Sequence, residues 1–389
     1  MRLLALSGDV LDLLAQIRLA APLRALCERE GWSVTLRSFH DCTRADLDAA
    51  DVLVVQRAMS ARALRLQQLM RQRGRAVVYE IDDLLTDPPK HVSNQAALLA
   101  RQVALRRCLA EADVLAVSTE RLGHELMSDL GAAPADRAPL PQLVVVPNGS
   151  LPLAREAWPA AAGPGPVSLL FASSERLACE FIYPALRQLQ AVRGADVQVV
   201  VVGPPVADFK AAGVAVQGHG LMPRADFLTL ARGLSRPLAV IPLEQTRFAA
   251  CKTAIKWFDY AEIGVPVLCS AVSPYLEVVD DGETGCLVVN DSAAWFAALQ
   301  RAVADDGWRA RAALAARSVV RERHTLTQTV AAWREAIVLA QAHLTANPLP
   351  MPGLGWQLGE AVAGPVESAA LRARQINRAR LARRQQARR

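Results

Sequence analysis

Three charges in an apolar stretch are the first residues with chemistry to offer. Within residues 252–268, KTAIKWFDYAEIGVPVL, Lys252, Lys256 and Asp259 stand at spacing i, i+4, i+7. On a helix that spacing puts all three on one face. Ala254, Ile255, Trp257, Phe258, Ala261 and Ile263 cover most of the remaining surface with apolar groups, so the helix is expected to be largely buried. Gly264 suits a left-handed C-cap and Pro266 cannot continue the helix, so a tight turn and a strand should follow. Two ammonium groups and a carboxylate on a buried helix need partners or a water-filled cleft. A cleft for an anionic, hydroxyl-bearing ligand meets that need, with the lysines on phosphate and the carboxylate on ribose or sugar hydroxyls. An internal salt bridge with snorkelling lysine stems also meets it.

Such a cleft has to be framed by the rest of the chain. MRLLALS, WSVTLRSF, DVLVVQR, RAVVYEI, DVLAVST and LVVVPNG are compact apolar runs separated by helical patterns, notably at 60–73 and 95–111. Strands alternating with helices predict βαβ units and a parallel sheet covered on both faces. Residues 151–166 are rich in Pro, Gly and Ala and read as a linker. The alternation then restarts with VSLLFASS, VQVVVVGPP, VAVQGHG, LAVIPLE, PVLCS and TGCLVVN. The expected organisation is a doubly wound α/β half at 1–150, the linker, and a second half at 167–325. A helix at 326–345 packs back across both, and 346–389 forms a Pro/Gly-rich segment and a basic tail. Two such halves imply a central cleft, and functional residues in open parallel sheets gather at the carboxyl ends of the strands. Asp82 and Asp83 directly follow RAVVYEI at such an end. They are suited to positioning a hydroxyl or shuttling its proton, and equally to capping a turn.

Composition narrows the classes. With 389 residues, two domains are the default. The longest apolar runs are too short to span a bilayer, and Asp9 and Asp12 interrupt the opening segment where a leader would need an apolar core. Seven scattered cysteines without a CxxC pair suit reduced thiols in the cytoplasm, not a disulfide framework or a zinc site. The net charge of +6 comes from residues 371–389, which hold eight arginines and no acid, so the rest of the chain carries −2. The body is therefore not expected to bind nucleic acid. The tail is either solvated or drawn to anionic headgroups at the inner membrane face. No GxGxxG follows a strand, which argues against a dinucleotide oxidoreductase.

Taken together, these segments resemble the GT-B glycosyltransferases, and among them the bacterial family 4-like enzymes (glycosyl transferases group 1) of surface-glycan assembly. The resemblance rests on YEIDDLLTDPPKH, VVPNG, VVGPP, PLEQTRFAACKTAIKWFDYAEIGVPVLCS, SPY, DDGETGCLV and Trp295, and spans roughly residues 50–335. It implies a nucleoside-diphosphate sugar (NDP-sugar) as donor substrate, with no further cofactor. The donor is expected on the second half, a glycan or lipid-linked acceptor on the first, and retention at the anomeric carbon. Asp259 then corresponds to the acid that holds the ribose hydroxyls, and Lys256, reinforced by Lys252, to the lysine on the donor phosphate. Two fixed ammonium groups would offset the charge that grows on the leaving diphosphate, removing the need for a metal.

The same resemblance sets Gly203 and His219 beside the nucleotide and Glu244 in the loop that faces the donor sugar. Lys256, Asp83 and Glu244 are the groups expected at the reacting atoms. Departures from the pattern are specific. Cys251 stands where the first glutamate of E-x7-E belongs, a loss Glu244 is placed to offset. Ser173-Ser174-Glu175-Arg176 replaces the usual Gly-Arg segment, leaving Arg176 as the substitute cation. Ser7-Gly8-Asp9 is a reduced glycine loop. His91 is a cleft residue or an ordinary loop histidine. An NDP-sugar epimerase of the same fold, and a non-catalytic scaffold in a glycan-assembly complex, are the rival readings.

Overall fold

The computed structural model describes residues 1–92, 94–131, 140–150 and 164–347. Most of the expected linker, nearly all of the Pro/Gly-rich stretch and the whole arginine-rich tail lie outside these residues. The first six strands are β1 (Arg2–Ser7), β2 (Ser33–Ser38), β3 (Val52–Gln56), β4 (Ala76–Ile81), β5 (Val114–Val117) and β6 (Gln142–Val145). They form one parallel sheet in the order β2-β1-β3-β4-β5-β6. The next six are β7 (Val167–Ala172), β8 (Val197–Val202), β9 (Gln217–His219), β10 (Pro237–Ile241), β11 (Val267–Ser270) and β12 (Cys286–Val288). These form a second parallel sheet in the order β12-β11-β10-β7-β8-β9. All twelve apolar runs are therefore strands.

Their burial explains their legibility. β3 and β4 are buried at every residue, as expected for central parallel strands packed on both faces, whereas edge strand β2 alternates between exposed and half-buried positions. Each sheet has apolar clusters on both of its faces. The chain is thus the α/β, two-domain GT-B fold, with strand order reversing between β1 and β3 in one sheet and between β7 and β10 in the other. Crevices open at such reversal points, outside the carboxyl ends of the strands. Among the described residues, no helix is long and apolar enough to cross a membrane.

The last helix, Leu326–Ala346, returns to the first sheet, where Trp333 is fully buried and donates its indole N–H to the Arg18 carbonyl at 3.0 Å. The crossing is at Pro147-Asn148-Gly149. Thr329 donates to the Pro147 carbonyl at 3.0 Å, and a Cβ on Gly149 would sit 2.7 Å from the Thr329 hydroxyl and 2.9 Å from the Leu326 nitrogen. Only glycine permits so close a backbone approach.

Candidate active site

The opening stretch folds differently from its spacing. Thr246 caps a short helix, Arg247–Ala250, by accepting from the Ala249 N–H at 3.1 Å. The chain then turns, and the next helix begins only at Ile255, running Ile255–Glu262. Lys252 therefore lies before the helix, and the expected three-residue face reduces to Lys256 and Asp259. The cause is tertiary. Thr119 donates to the Cys251 carbonyl at 3.1 Å and Asn148 to the Thr253 hydroxyl at 2.8 Å, so the first domain holds the turn that separates the two helices. The helix ends as its residues dictate. Gly264 is left-handed (φ +71°), its N–H meets the Ala261 carbonyl at 3.1 Å, and the Val265 N–H meets Tyr260 at 2.9 Å, the two bonds of a Schellman motif. Trp257, fully buried, anchors the inner side through an indole bond to the Thr284 carbonyl at 3.1 Å.

Residues 246–253 form a wedge of the second domain set into the first. Phe248 and Cys251 pack inside the first domain's core cluster. Arg247 is held by Glu125 at 2.6 Å and Asp129 at 2.7 Å, with Asp87 at 3.6 Å. Cys251 is buried in that core, and burial pushes its thiol up to about 11. The position of the missing glutamate is thus a packing position here. Glu244 does line the cleft, on a loop fixed by the Ser270 hydroxyl on the Leu243 N–H (2.8 Å) and by Asn290 on the Leu243 carbonyl (2.8 Å).

Between the domains lies a cavity of about 480 Å³. The first domain contributes Arg57, Asp82, Asp83 and His91, and the second Ser173–Arg176, Glu244, Lys252 and Lys256. His91 approaches Glu244 across the gap at 3.6 Å. A second cavity, of about 190 Å³, is lined by Leu221, Met222, Arg224, Phe227, Asp259 and Tyr260. Ser173, Ser174 and Lys256 line both, so they mark the passage between the two.

The electrostatics of this passage are uneven. Lys256 donates to the Ala172 carbonyl at 2.9 Å, and among the described residues no carboxylate pairs with it. Burial, assisted by the charge of Lys252, pushes its ammonium down to about 8. Asp259 is ion-paired with Arg224, and burial nevertheless raises its carboxyl above the ordinary value. Lys252 lies 3.5 Å from Asp83 and 4.7 Å from the centre of the Phe248 ring. Asp83 also pairs with Arg57, whose Nε stands 2.7 Å from Asp82. Burial raises the Asp82 carboxyl to about 6 against the pull of Arg57. For Asp83 burial acts the same way, but Lys252 and Arg57 outweigh it and hold that carboxyl below its usual range. Arg57 adopts a left-handed φ of +48°, a conformation that costs a non-glycine residue about 1–2 kcal/mol. Beneath the cleft a fully buried pair, Arg18 and Glu80 at 2.7 Å, ties in Asn148 at 2.8 Å.

The remaining expected residues fall at the margins. Gly203 (φ +94°) lines neither cavity, but its missing side chain leaves room for the Ser173 carbonyl, which a Cβ would approach to 2.1 Å. His219, on β9, lines neither cavity, and its carbonyl accepts from the Gly203 N–H at 2.9 Å. Arg176 lines the larger cavity with its guanidinium turned to Asp208 at 3.1 Å and mostly exposed. Asp82 and Asp83 cap no helix, since their side chains are engaged by cations. Arg57, Arg224 and Arg247 carry no local signal of a role, because each acts on carboxylates at least 25 positions away. Among the described residues, no group of three or more His, Cys, Asp or Glu is placed to hold a metal ion.

No curated protein matches this chain. Among solved structures, sucrose-phosphate synthase from Thermosynechococcus elongatus is 15% identical with a TM-score of 0.59, over 86% of this chain and 98% of that one. An alpha-glucosyltransferase in complex with UDP-glucose and DNA containing an abasic site is 11% identical with a TM-score of 0.61, over 87% and 99%. Anabaena HepE, in complex with UDP and glucose, is 16% identical with a TM-score of 0.56, over 87% and 99%. At such identities the likeness establishes the fold. Residues 167–305 match the family of glycosyl transferases group 1, which covers β7 to β12 and therefore the helix bearing Lys256 and Asp259. Over that stretch the second domain of this GT-B chain is similar to the group 1 glycosyl transferases.

Proposed function

We propose that the protein transfers a sugar from a nucleoside-diphosphate sugar to a glycan or lipid-linked acceptor in surface-polysaccharide assembly. The observation that carries this reading is the pair of joined cavities with Lys256 at their junction. The smaller suits a nucleoside, with Leu221, Met222 and Phe227 against a base and the Asp259 carboxylate for ribose hydroxyls. The junction suits the diphosphate, where Lys256 lacks a carboxylate partner among the described residues and the N-terminus of the helix Ile255–Glu262 opens on the larger cavity. The larger cavity holds the sugar near Glu244 and leaves room for an acceptor on the side of Asp83 and His91.

As the bond from the anomeric carbon to the diphosphate oxygen breaks, its electron pair leaves with the phosphate. Lys252 and Lys256 stabilise that charge in place of a metal. Retention of configuration follows from an acceptor hydroxyl entering on the face the diphosphate leaves, its oxygen bonding to the anomeric carbon as its proton passes to the departing phosphate oxygen. The hexosyl nature of the donor, a cytoplasmic location and contact of the arginine-rich residues 371–389 with anionic headgroups belong to the same proposal. HepE and the alpha-glucosyltransferase were solved with UDP or UDP-glucose, which makes UDP the first nucleotide to try.

The test is thermal stabilisation by UDP, GDP, ADP, CMP and dTDP, in wild type and Asp259→Asn. At a hundred times its Kd a ligand adds about 2.7 kcal/mol of stability. One nucleotide should stabilise the wild type and do so much less for the variant. No stabilisation by any of them at millimolar concentration would overturn the reading in favour of a non-catalytic scaffold.

A further inference from the structure

The contact between Lys252 and Asp83 joins the two domains at the point where the donor's charge would enter. The cluster is balanced, with the cations Lys252 and Arg57 against the carboxylates Asp82 and Asp83, all on the wall of the larger cavity. The two ends of this cluster are not held alike. Arg57 is fixed through its left-handed backbone, whose N–H meets the Glu80 carbonyl at 2.9 Å, and through both carboxylates. Lys252 has a side chain 37% exposed and a longer contact, 3.5 Å, with its ammonium 4.7 Å from the centre of the Phe248 ring. It is the more exposed and more loosely paired member, and it lies beside Lys256, whose depressed ammonium registers its charge.

A diphosphate at the cavity junction would bring two or more negative charges to these two lysines. Lys252 would then have two claimants, one doubly charged and one a single carboxylate already shared with Arg57. Resting on the donor-site reading above, we propose that Lys252 exchanges counter-ions, with Asp83 standing in for the diphosphate in the empty cleft. Donor binding draws Lys252 to the phosphate and leaves Asp83 one cation short. The remainder, Arg57 with Asp82 and Asp83, carries a net charge of −1 in a largely buried wall, where an uncompensated carboxylate is costly unless it gains a donor group. An acceptor hydroxyl supplies that group by donating a hydrogen bond to Asp83. Donor occupancy thereby creates the acceptor's anchoring point at Asp83, which its two cations hold until the donor arrives.

A double-mutant cycle on diphosphate affinity tests the exchange. The probes are the nucleoside diphosphate that stabilises the wild type and, as a base-free control, inorganic pyrophosphate. Calorimetric titration is made on wild type, Asp83→Asn, Lys252→Met and the double variant, each checked for a wild-type-like melting transition. Asp83→Asn should bind the diphosphate about fivefold or more tighter, because Lys252 no longer has to leave a partner. Lys252→Met should bind more weakly, and adding Asp83→Asn to it should change nothing further.

If Asp83→Asn left affinity unchanged or weakened it, there is no exchange. Equal tightening in the Lys252→Met background would show that Asp83 acts only through the general field of the cavity, and would also overturn the proposal. A wild type that binds no diphosphate sinks the donor-site reading itself. Binding without coupling sinks the exchange alone.

Discussion

Replacing Lys256 by methionine should stabilise the free protein and cripple diphosphate binding, two effects of opposite sign from one atom group. The lysine titrates at about 8 instead of 10.5, through burial and then the charge of Lys252. At 1.36 kcal/mol per pH unit, keeping it charged in the empty cleft costs about 3 kcal/mol at neutral pH. Methionine fills similar volume without charge but forfeits the 2.9 Å bond to the Ala172 carbonyl, worth about 1 kcal/mol. The net gain is about 2 kcal/mol, or roughly 4–8 °C in Tm for a domain of this size.

The pH dependence has a definite sign. Between about 8 and 10.5 the unfolded chain holds a proton on this lysine that the folded chain has lost, so wild-type stability rises with pH across that window. The advantage of Lys256→Met is therefore full below pH 8 and fades towards pH 10.5. Binding moves the other way. An ammonium about 4 Å from a phosphate at an effective dielectric near 20 contributes up to about 4 kcal/mol, so its loss should cost between about tenfold and several hundredfold in affinity. Wild-type affinity should itself decline above pH 8 as Lys256 loses its proton, and the variant's should not. Thermal melts at pH 7 and 9.5 with and without the stabilising nucleoside diphosphate read all of this. A variant less stable than wild type at pH 7, or one that binds the diphosphate as well, would refute the assignment of Lys256 as a charge held ready for a ligand.

Three further substitutions test how the site is supported. Gly203→Ala should cost at least about 2 kcal/mol, since a left-handed backbone and a Cβ 2.1 Å from the Ser173 carbonyl both oppose it, and should weaken nucleotide binding by moving Ser173. Gly31→Ala, equally left-handed but with nothing within 4 Å of the new atom, should cost about 1 kcal/mol and leave nucleotide binding intact; equal effects in calorimetry would refute the steric argument. Arg247→Ala removes a partly exposed cation from Glu125 and Asp129, so about 1–2 kcal/mol should be lost at low salt and less at high salt. Protease cleavage within residues 246–253 should rise with it, and an unchanged digestion pattern would mean that Phe248 and Cys251 alone hold the wedge.

The sequence by itself determined the sheets. Runs such as VLVVQ and AVVYEI are apolar throughout because both faces of a central parallel strand are covered, and that demand is written within five or six consecutive residues. It also placed Lys256 and Asp259 on one helix, three residues apart, and ended that helix at Gly264, since spacing and capping are local properties. Tertiary structure decided where the helix begins. Residues 252–254 have helical spacing, but bonds from Thr119 and Asn148 hold the turn open, sending Lys252 to Asp83. It also decided that Cys251 packs in the first domain's core and that Arg224 partners Asp259. Charges find their partners through space. Arg57 meets Asp82 and Asp83 because β3 and β4 are neighbours in the first sheet, and only the apposition of the two domains brings Lys252, which follows the short helix after β10, within 4 Å of Asp83.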